Sequence, residues 1–158
     1  MRITSMVMLA LAMALLPALA QDASLSHDAN AAYFSANAKK PGVTSAHGIQ
    51  YRVIKSGKGA QPNAQECATV YYKGSLINGT VFDKTDPGQP RTFPVGGLIK
   101  GWTLALQMMR EGDEWELTIP SDLAYGSRGA GGVIPPDQTL VFDVELVKVS
   151  EPAAGQCG

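Results

Sequence analysis

The chain has 158 residues, with 13 Lys and Arg against 14 Asp and Glu for a formal net charge of −1, and 45% of its residues are hydrophobic. That is length enough for one domain with a real core and a short appendage. The charges are scattered, and without a Lys/Arg block to release counterions from phosphates the composition argues against a nucleic-acid partner.

Residues 1–20 read as a secretory signal peptide. Met1-Arg2 is a basic start, Ile3 to Leu16 is almost wholly apolar, and Pro17-Ala18-Leu19-Ala20 ends in an Ala-x-Ala cleavage site. The expected location is therefore periplasmic or secreted. No other apolar run could span a bilayer, and no Cys follows the cut to carry a lipid, so no membrane attachment is expected after cleavage. Residues 21–47 are small, polar and Ala-rich, with "AAYFSANAKKPGV" readable as one short helix that stops before Pro41-Gly42. They carry too few apolar positions for a core and read as an exposed lead-in arm, with a remnant oligomerisation helix as the alternative.

A domain is expected over 48–150, where short alternating runs signal strands. "IQYRVIKSG" is a first strand. "ATVYYKGSLINGTVFD" is a hairpin with Val70, Tyr72 and Leu76 on one face and Thr69, Tyr71, Lys73 and Ser75 on the other, turning at Asn78-Gly79 in a type I′ turn. "GLIKGWTLALQMMREGD" is a helix of about a dozen residues, with Ile99, Trp102, Leu106 and Met109 on one stripe and Gly112 as its stop. In "EWELTIP", Trp115, Leu117 and Ile119 face one way and Glu114, Glu116 and Thr118 the other. A Gly-rich loop, "LAYGSRGAGGVIPP", leads to the last strand, "LVFDVELVKV", with Leu140, Phe142, Val144 and Leu146 inward and Asp143 and Glu145 toward solvent; residues 151–158 form a tail. The pattern implies an α+β domain, an antiparallel sheet wrapped around one short α-helix.

Both histidines, His27 and His47, precede the domain, which removes a Ser-His-Asp triad, a Cys-His pair and a His-ligated metal from it. No metal or cofactor is expected. Glu114 and Glu116 alternate on a polar strand face and read as solvated charge. What stands out is a set of aromatic and branched residues near loops. For any one of them core packing is the simpler reading, but together they match something more specific.

Through "VYYKGSLINGTVFD", "LIKGWTLALQMM", "DLAYGSRGAGGVIPP" and "LVFDVELVKV", the stretch from about Gly48 to Val149 resembles the FKBP-type peptidyl-prolyl cis-trans isomerases. The lead-in "ANAKKPGVTSAHGIQYRVIKSG" is similar to the exported, macrophage-infectivity-potentiator-like branch. The resemblance implies isomerisation of Xaa-Pro bonds in unfolded or partly folded proteins, and binding of tacrolimus- or rapamycin-type inhibitors. A non-catalytic FKBP-like chaperone or peptide-binding module is the alternative. The resemblance makes Trp102 the floor of a proline-receiving cleft, with Tyr72, Phe82 and Phe142 as walls and Asp83 pointing into it. Phe93 would contribute to binding, Leu98 and Ile99 would close the side with the Ile99 N–H as a free donor, Tyr125 would offer its hydroxyl, and Val133-Ile134 would end a flap. The triplet Val-Phe-Asp, present at 81–83 and 141–143, would supply two walls of one site, with Asp143 at the surface. Arg91, Ala130, Gly131 and Leu98 depart from the more usual residues. With about 25 residues between cleavage site and domain, a monomer is expected.

The two cysteines, Cys67 and Cys157, are even in number and sent to a compartment where disulfides persist, so a bridge between them is expected. The competing state is a buried, reduced Cys67 with a free tail thiol.

Overall fold

A computed structural model describes residues 22–158; the predicted signal peptide lies outside the described residues. Seven strands, β1 (Val43–Ala46), β2 (Ile49–Lys55), β3 (Cys67–Leu76), β4 (Val81–Lys84), β5 (Arg91–Pro94), β6 (Glu114–Ile119) and β7 (Leu140–Ser150), join one sheet in the order β1-β2-β6-β7-β3-β4, with every pairing antiparallel. The free edge of β3 is shared: β5 pairs with its first half, Cys67 to Val70, and β4 with its second, Lys73 to Ser75. Two helices complete the fold, α1 (His27–Asn37) and α2 (Lys100–Met108).

Alternation sets which side of the sheet is covered. In β3, Val70, Tyr72 and Leu76 are buried while Thr69, Tyr71, Lys73 and Ser75 are not; in β7, Leu140, Phe142, Val144 and Leu146 are buried. Onto this face α2 lays Trp102, Ala105 and Leu106, with Met109 just past its end fully buried. The helix lies so close to β6 that a Cβ at Gly101 would overlap the Ile119 side chain. Leu106, Met109, Leu117, Ile119, Leu140 and Leu146 are each 1% exposed or less, and full burial of such a side chain stabilises the fold by roughly 1.5–3 kcal/mol.

Five local expectations differ from the structure. The hairpin turn is not type I′, because Gly79 alone has positive φ (88°) and Asn78 does not. Gly79 N–H donates to Leu76 O at 2.9 Å and Leu76 N–H to Thr80 O at 2.9 Å, which makes a three-residue loop with glycine in the left-handed position. Helix α2 has nine residues rather than a dozen, since Met109 turns extended (ψ 160°) as its side chain enters the core. Gly112 therefore sits in the next turn, where the Asp113 carboxylate accepts from the Arg110 N–H (2.8 Å) and the Gly57 N–H (2.6 Å).

The remaining two differences concern the arm and the strand face that it covers. It is not an exposed lead-in: β1 pairs with β2, and α1 docks on the sheet through two asparagines, Asn30 and Asn37. Seven residues apart, these lie two turns apart on one face of the helix. Asn37 Nδ2 donates to Gln50 Oε1 (2.8 Å) and Thr118 Oγ1 (3.1 Å), and Gln50 Nε2 donates back to Phe34 O (2.9 Å). Thr118, expected on the polar face, is thus buried under the helix, whereas Glu114 and Glu116 on that face pair with Lys55 and Arg52. A helix without an apolar stripe gives no hydrophobic signal for docking; its attachment is a polar network.

Candidate active site

Seven segments meet at one end of α2. Tyr72 comes from β3, Phe82 and Asp83 from β4, Arg91 and Phe93 from β5, Leu98 and Ile99 from the lead into α2, Trp102 from its first turn, Tyr125 from the β6–β7 loop and Phe142 from β7. They line a cleft of about 170 Å³. Trp102 is its floor, 5% exposed, and meets Tyr72, Phe93 and Phe142 edge to face at centroid distances of 5.4, 6.3 and 5.3 Å. Phe82 stands edge to face with Phe142 at 5.6 Å. Such contacts fix ring orientations as well as burying area. Room for the last pair comes from Gly74, where a Cβ would lie 2.6 Å from Phe82 and 2.7 Å from Phe142.

One polar chain crosses the aromatic wall. Arg91 Nη1 donates to the Tyr72 hydroxyl at 2.9 Å, and that hydroxyl donates to Asp83 Oδ2 at 2.5 Å. Burial, and then the Asp83 carboxylate it bonds, push the Tyr72 phenol up to about 12, with Arg91 opposing. Tyr72 therefore stays a neutral donor and Asp83 is held against the wall. Arg91 shares a face of β5 with Phe93, two residues on, and reaches over the Tyr72 ring at 5.9 Å. Sequence reading noted Arg91 only as a departure; its i, i+2 relation to Phe93 was the signal that placed it at the cleft. At the helix start, the Ile99 carbonyl accepts from Trp102 and Thr103, while the Ile99 N–H makes no hydrogen bond among the described residues.

Ten residues thus surround the cleft, among them Tyr72, Phe82, Asp83, Phe93, Leu98, Ile99, Trp102, Tyr125 and Phe142 of the sequence-predicted set. Val133 and Ile134 are not among them. Ala130 and Ile134 bridge across a tight turn through Gly131 and Gly132, which drives Ile134 into the core (6% exposed) and leaves Val133 at the tip (56% exposed). The two Val-Phe-Asp copies supply two walls with unequal acids: Asp83 faces the cleft, whereas Asp143 pairs with Lys73 at 3.1 Å on the outer surface. Cys67 and Cys157 are joined in a disulfide, Cα to Cα 5.5 Å, and neither lines the cleft.

Residues 58–147 match the family described as FKBP-type peptidyl-prolyl cis-trans isomerase. The chain is 54% identical over 119 residues to the FKBP-type 22 kDa peptidyl-prolyl cis-trans isomerase of Escherichia coli, covering 74% of this chain and 58% of that protein. It is 49% identical over 124 residues to the outer membrane protein MIP of Legionella longbeachae, covering 77% and 53%. This chain therefore spans little more than half the length of these curated relatives. Among solved structures, a peptidyl-prolyl cis-trans isomerase of Pseudomonas syringae superposes with a TM-score of 0.75 at 42% identity, covering 78% of this chain and 92% of that one. FkpA of Escherichia coli superposes with a TM-score of 0.73 at 42% identity, covering 77% and 58%. With its matched stretch exceeding half the sequence and its aromatic cleft inside that stretch, the chain belongs to the FKBP-type peptidyl-prolyl cis-trans isomerase family.

Proposed function

We propose that this protein accelerates rotation about Xaa-Pro bonds in unfolded or partly folded proteins outside the cytoplasm. The observation that carries the reading is the cleft itself: an indole floor walled by aromatic rings, crossed by the one polar chain Arg91–Tyr72–Asp83. Amide rotation costs about 18–20 kcal/mol because resonance is lost at the twisted geometry. The two ends of an Xaa-Pro rotation lie within about 1 kcal/mol, so only the barrier has to fall. No bond breaks, and the step itself calls for no nucleophile, metal or cofactor. A twisted amide separates less charge than a planar one, so moving the prolyl ring from water to a dry apolar cleft favours the twisted form.

In this reading Trp102, Tyr72, Phe82, Phe93 and Phe142 enclose the prolyl ring, and Leu98 and Ile99 close the side. The Ile99 N–H and the Tyr125 hydroxyl hold the flanking carbonyls, while Asp83, fixed by Tyr72, faces the rotating amide. The same apolar cleft suits tacrolimus- and rapamycin-type inhibitors. Export rests on the Ala-x-Ala leader of the sequence; among the described residues no helix is long and apolar enough to cross a membrane. A monomer is the state we propose, since the buried asparagine face of α1 is already used within the chain. A protease-coupled isomerisation assay on short Xaa-Pro peptides, with and without tacrolimus, tests the proposal. Catalysis suppressed by the drug is expected; drug binding without catalysis would make the protein a peptide-binding module instead.

A further inference from the structure

Between β6 and β7 the chain runs for twenty residues, Pro120 to Thr139, with only two 3-10 turns, Ser121–Leu123 and Gly126–Arg128. Tyr125 lies in this loop and reaches the cleft while 41% exposed, so its own packing does little to hold it. A loop of that length needs external anchors to present one side chain in one place. The Asp137 N–H donates to Gly126 O at 2.9 Å, which closes the loop right behind Tyr125. Asp137 has a φ of 60°, a left-handed conformation that a non-glycine residue keeps only where its surroundings impose it.

Those surroundings come from α1. Thr139 N–H donates to Asn30 Oδ1 at 2.8 Å, Asn30 Nδ2 donates to Gln138 Oε1 at 3.3 Å, and the same Nδ2 lies 3.0 Å from Ser26 O and 3.2 Å from Leu25 O. Gln138 Nε2 donates to Leu25 O at 3.0 Å and Pro136 O at 2.8 Å. Asn30, Gln138 and Thr139 are 3%, 3% and 4% exposed. Each anchor is thus a buried polar group whose partner cannot be replaced by water without reorganisation, which makes the joint between helix and loop stiff.

We infer that α1 belongs to the working site, with Asn30 as a positioning residue that sets Tyr125 at the cleft through Gln138, Thr139 and the Asp137–Gly126 hydrogen bond. This rests on the isomerase activity proposed above. The second anchor of the helix provides an internal control: Asn37 is equally buried, bonds Gln50 and Thr118, and hydrogen-bonds no residue of the loop.

The test uses the mature protein and four variants, Asn30→Ala, Gln138→Ala, Asn37→Ala and Tyr125→Phe, together with the Asn30→Ala/Tyr125→Phe double. Asn30→Ala and Gln138→Ala are expected to lower kcat/KM on Xaa-Pro peptides by about three- to tenfold, the worth of one hydrogen bond, and so is Tyr125→Phe. The double variant should lose little more than the larger single, because both act through one hydroxyl. Asn37→Ala should lower the thermal midpoint as Asn30→Ala does, yet keep kcat/KM within about twofold of wild type. Independently of catalysis, amide exchange at Asp137 should rise at least about tenfold in Asn30→Ala and Gln138→Ala, and not in Asn37→Ala. Unchanged Asp137 exchange in Asn30→Ala, multiplying losses in the double variant, or equal activity losses for Asn30→Ala and Asn37→Ala would each overturn the positioning role. A wild-type protein with no isomerase activity would refute the proposed function instead, and the exchange difference would still establish that α1 anchors the loop.

Discussion

Asp83 and Asp143 each follow a Val-Phe pair, yet one closes a hydrogen bond in the cleft wall and the other meets Lys73 in solvent. Phe82→Ala and Asp83→Leu are expected to cut kcat/KM by about tenfold or more, equal to about 1.4 kcal/mol of barrier, with far smaller losses of stability. Asp143→Asn should change either quantity little, because exposed ion pairs contribute about 0–1 kcal/mol. Phe142→Ala should lose activity and also about 3–5 kcal/mol of stability, since Phe142 is both wall and core. Peptide-assay kinetics beside urea unfolding curves separate these outcomes; equal activity losses for the Asp83 and Asp143 variants would show the faces to be misassigned. Tyr72 carries a pH prediction. Its phenol is raised from 10.0 to about 12 in the folded protein, so below pH 10 both folded and unfolded chains are neutral there and its full contribution is present. Between pH 10 and 12 the unfolded chain gives up its proton first, and stability is lost as pH climbs through that window. Tyr72→Phe should accordingly show a shallower fall in stability between pH 10 and 12 than wild type.

At the scale of elements, β3 joins the two halves of the cleft wall, and Gly74 is where they need space. It pairs with Asp83 on β4 and with Phe142 on β7, and both aromatic rings lean over it. Gly74→Ala is expected to be well folded and poorly active: backbone pairing tolerates alanine, but the new methyl must push Phe82 or Phe142 aside, at a cost of about 1–3 kcal/mol. Near-ultraviolet circular dichroism should register the ring movement with the far-ultraviolet spectrum preserved; unchanged kinetics would mean that the wall geometry does not limit the reaction. Periodicity made β3, β6, β7 and the apolar stripe of α2 legible, because one residue in two or in three to four had to be apolar. It did not reveal where α2 ends: it placed Met109 on the inward stripe, but not the extended backbone by which that side chain enters the core. Nor did it reveal the docking of α1, which depends on asparagines that are ordinarily surface residues.

For the molecule as a whole, the Cys67–Cys157 bridge ties residues 151–158 back onto the start of β3, across a sequence separation of 90. Cys67 is 1% exposed and pairs with Pro94 on one side and Ser150 on the other, so the bridge fastens the edge where β5, β3 and β7 meet. Loop-closure entropy sets an upper value of about 4 kcal/mol for its contribution. A Cys67→Ser/Cys157→Ser double variant is expected to unfold at a lower urea concentration, with stability reduced by up to that amount, and to keep its isomerase rate at 25 °C because neither cysteine lines the cleft. Mass spectrometry of the exported protein with two free thiols would count against the bridge, and loss of activity on gentle reduction would count against a purely structural role.

The sequence by itself determined the inward faces of the strands, the single amphipathic helix against the sheet, nine of the ten cleft residues and the cysteine pair. The strand faces and the helix are written in a local period and the cysteine pair in a parity count, whereas the cleft residues were implied by the resemblance of four ordered blocks to the FKBP-type family. Tertiary structure alone decided the rest. Only three-dimensional pairing shows that Arg91 meets Tyr72 and Asp83, that Ile134 turns into the core while Val133 stays outside, and that the arm is a strand and a docked helix. These outcomes depend on contacts between residues far apart in the chain, such as Asn30 with Gln138 and Thr139 or Asn37 with Thr118, and polar contacts of that kind leave no periodic trace in either partner's sequence.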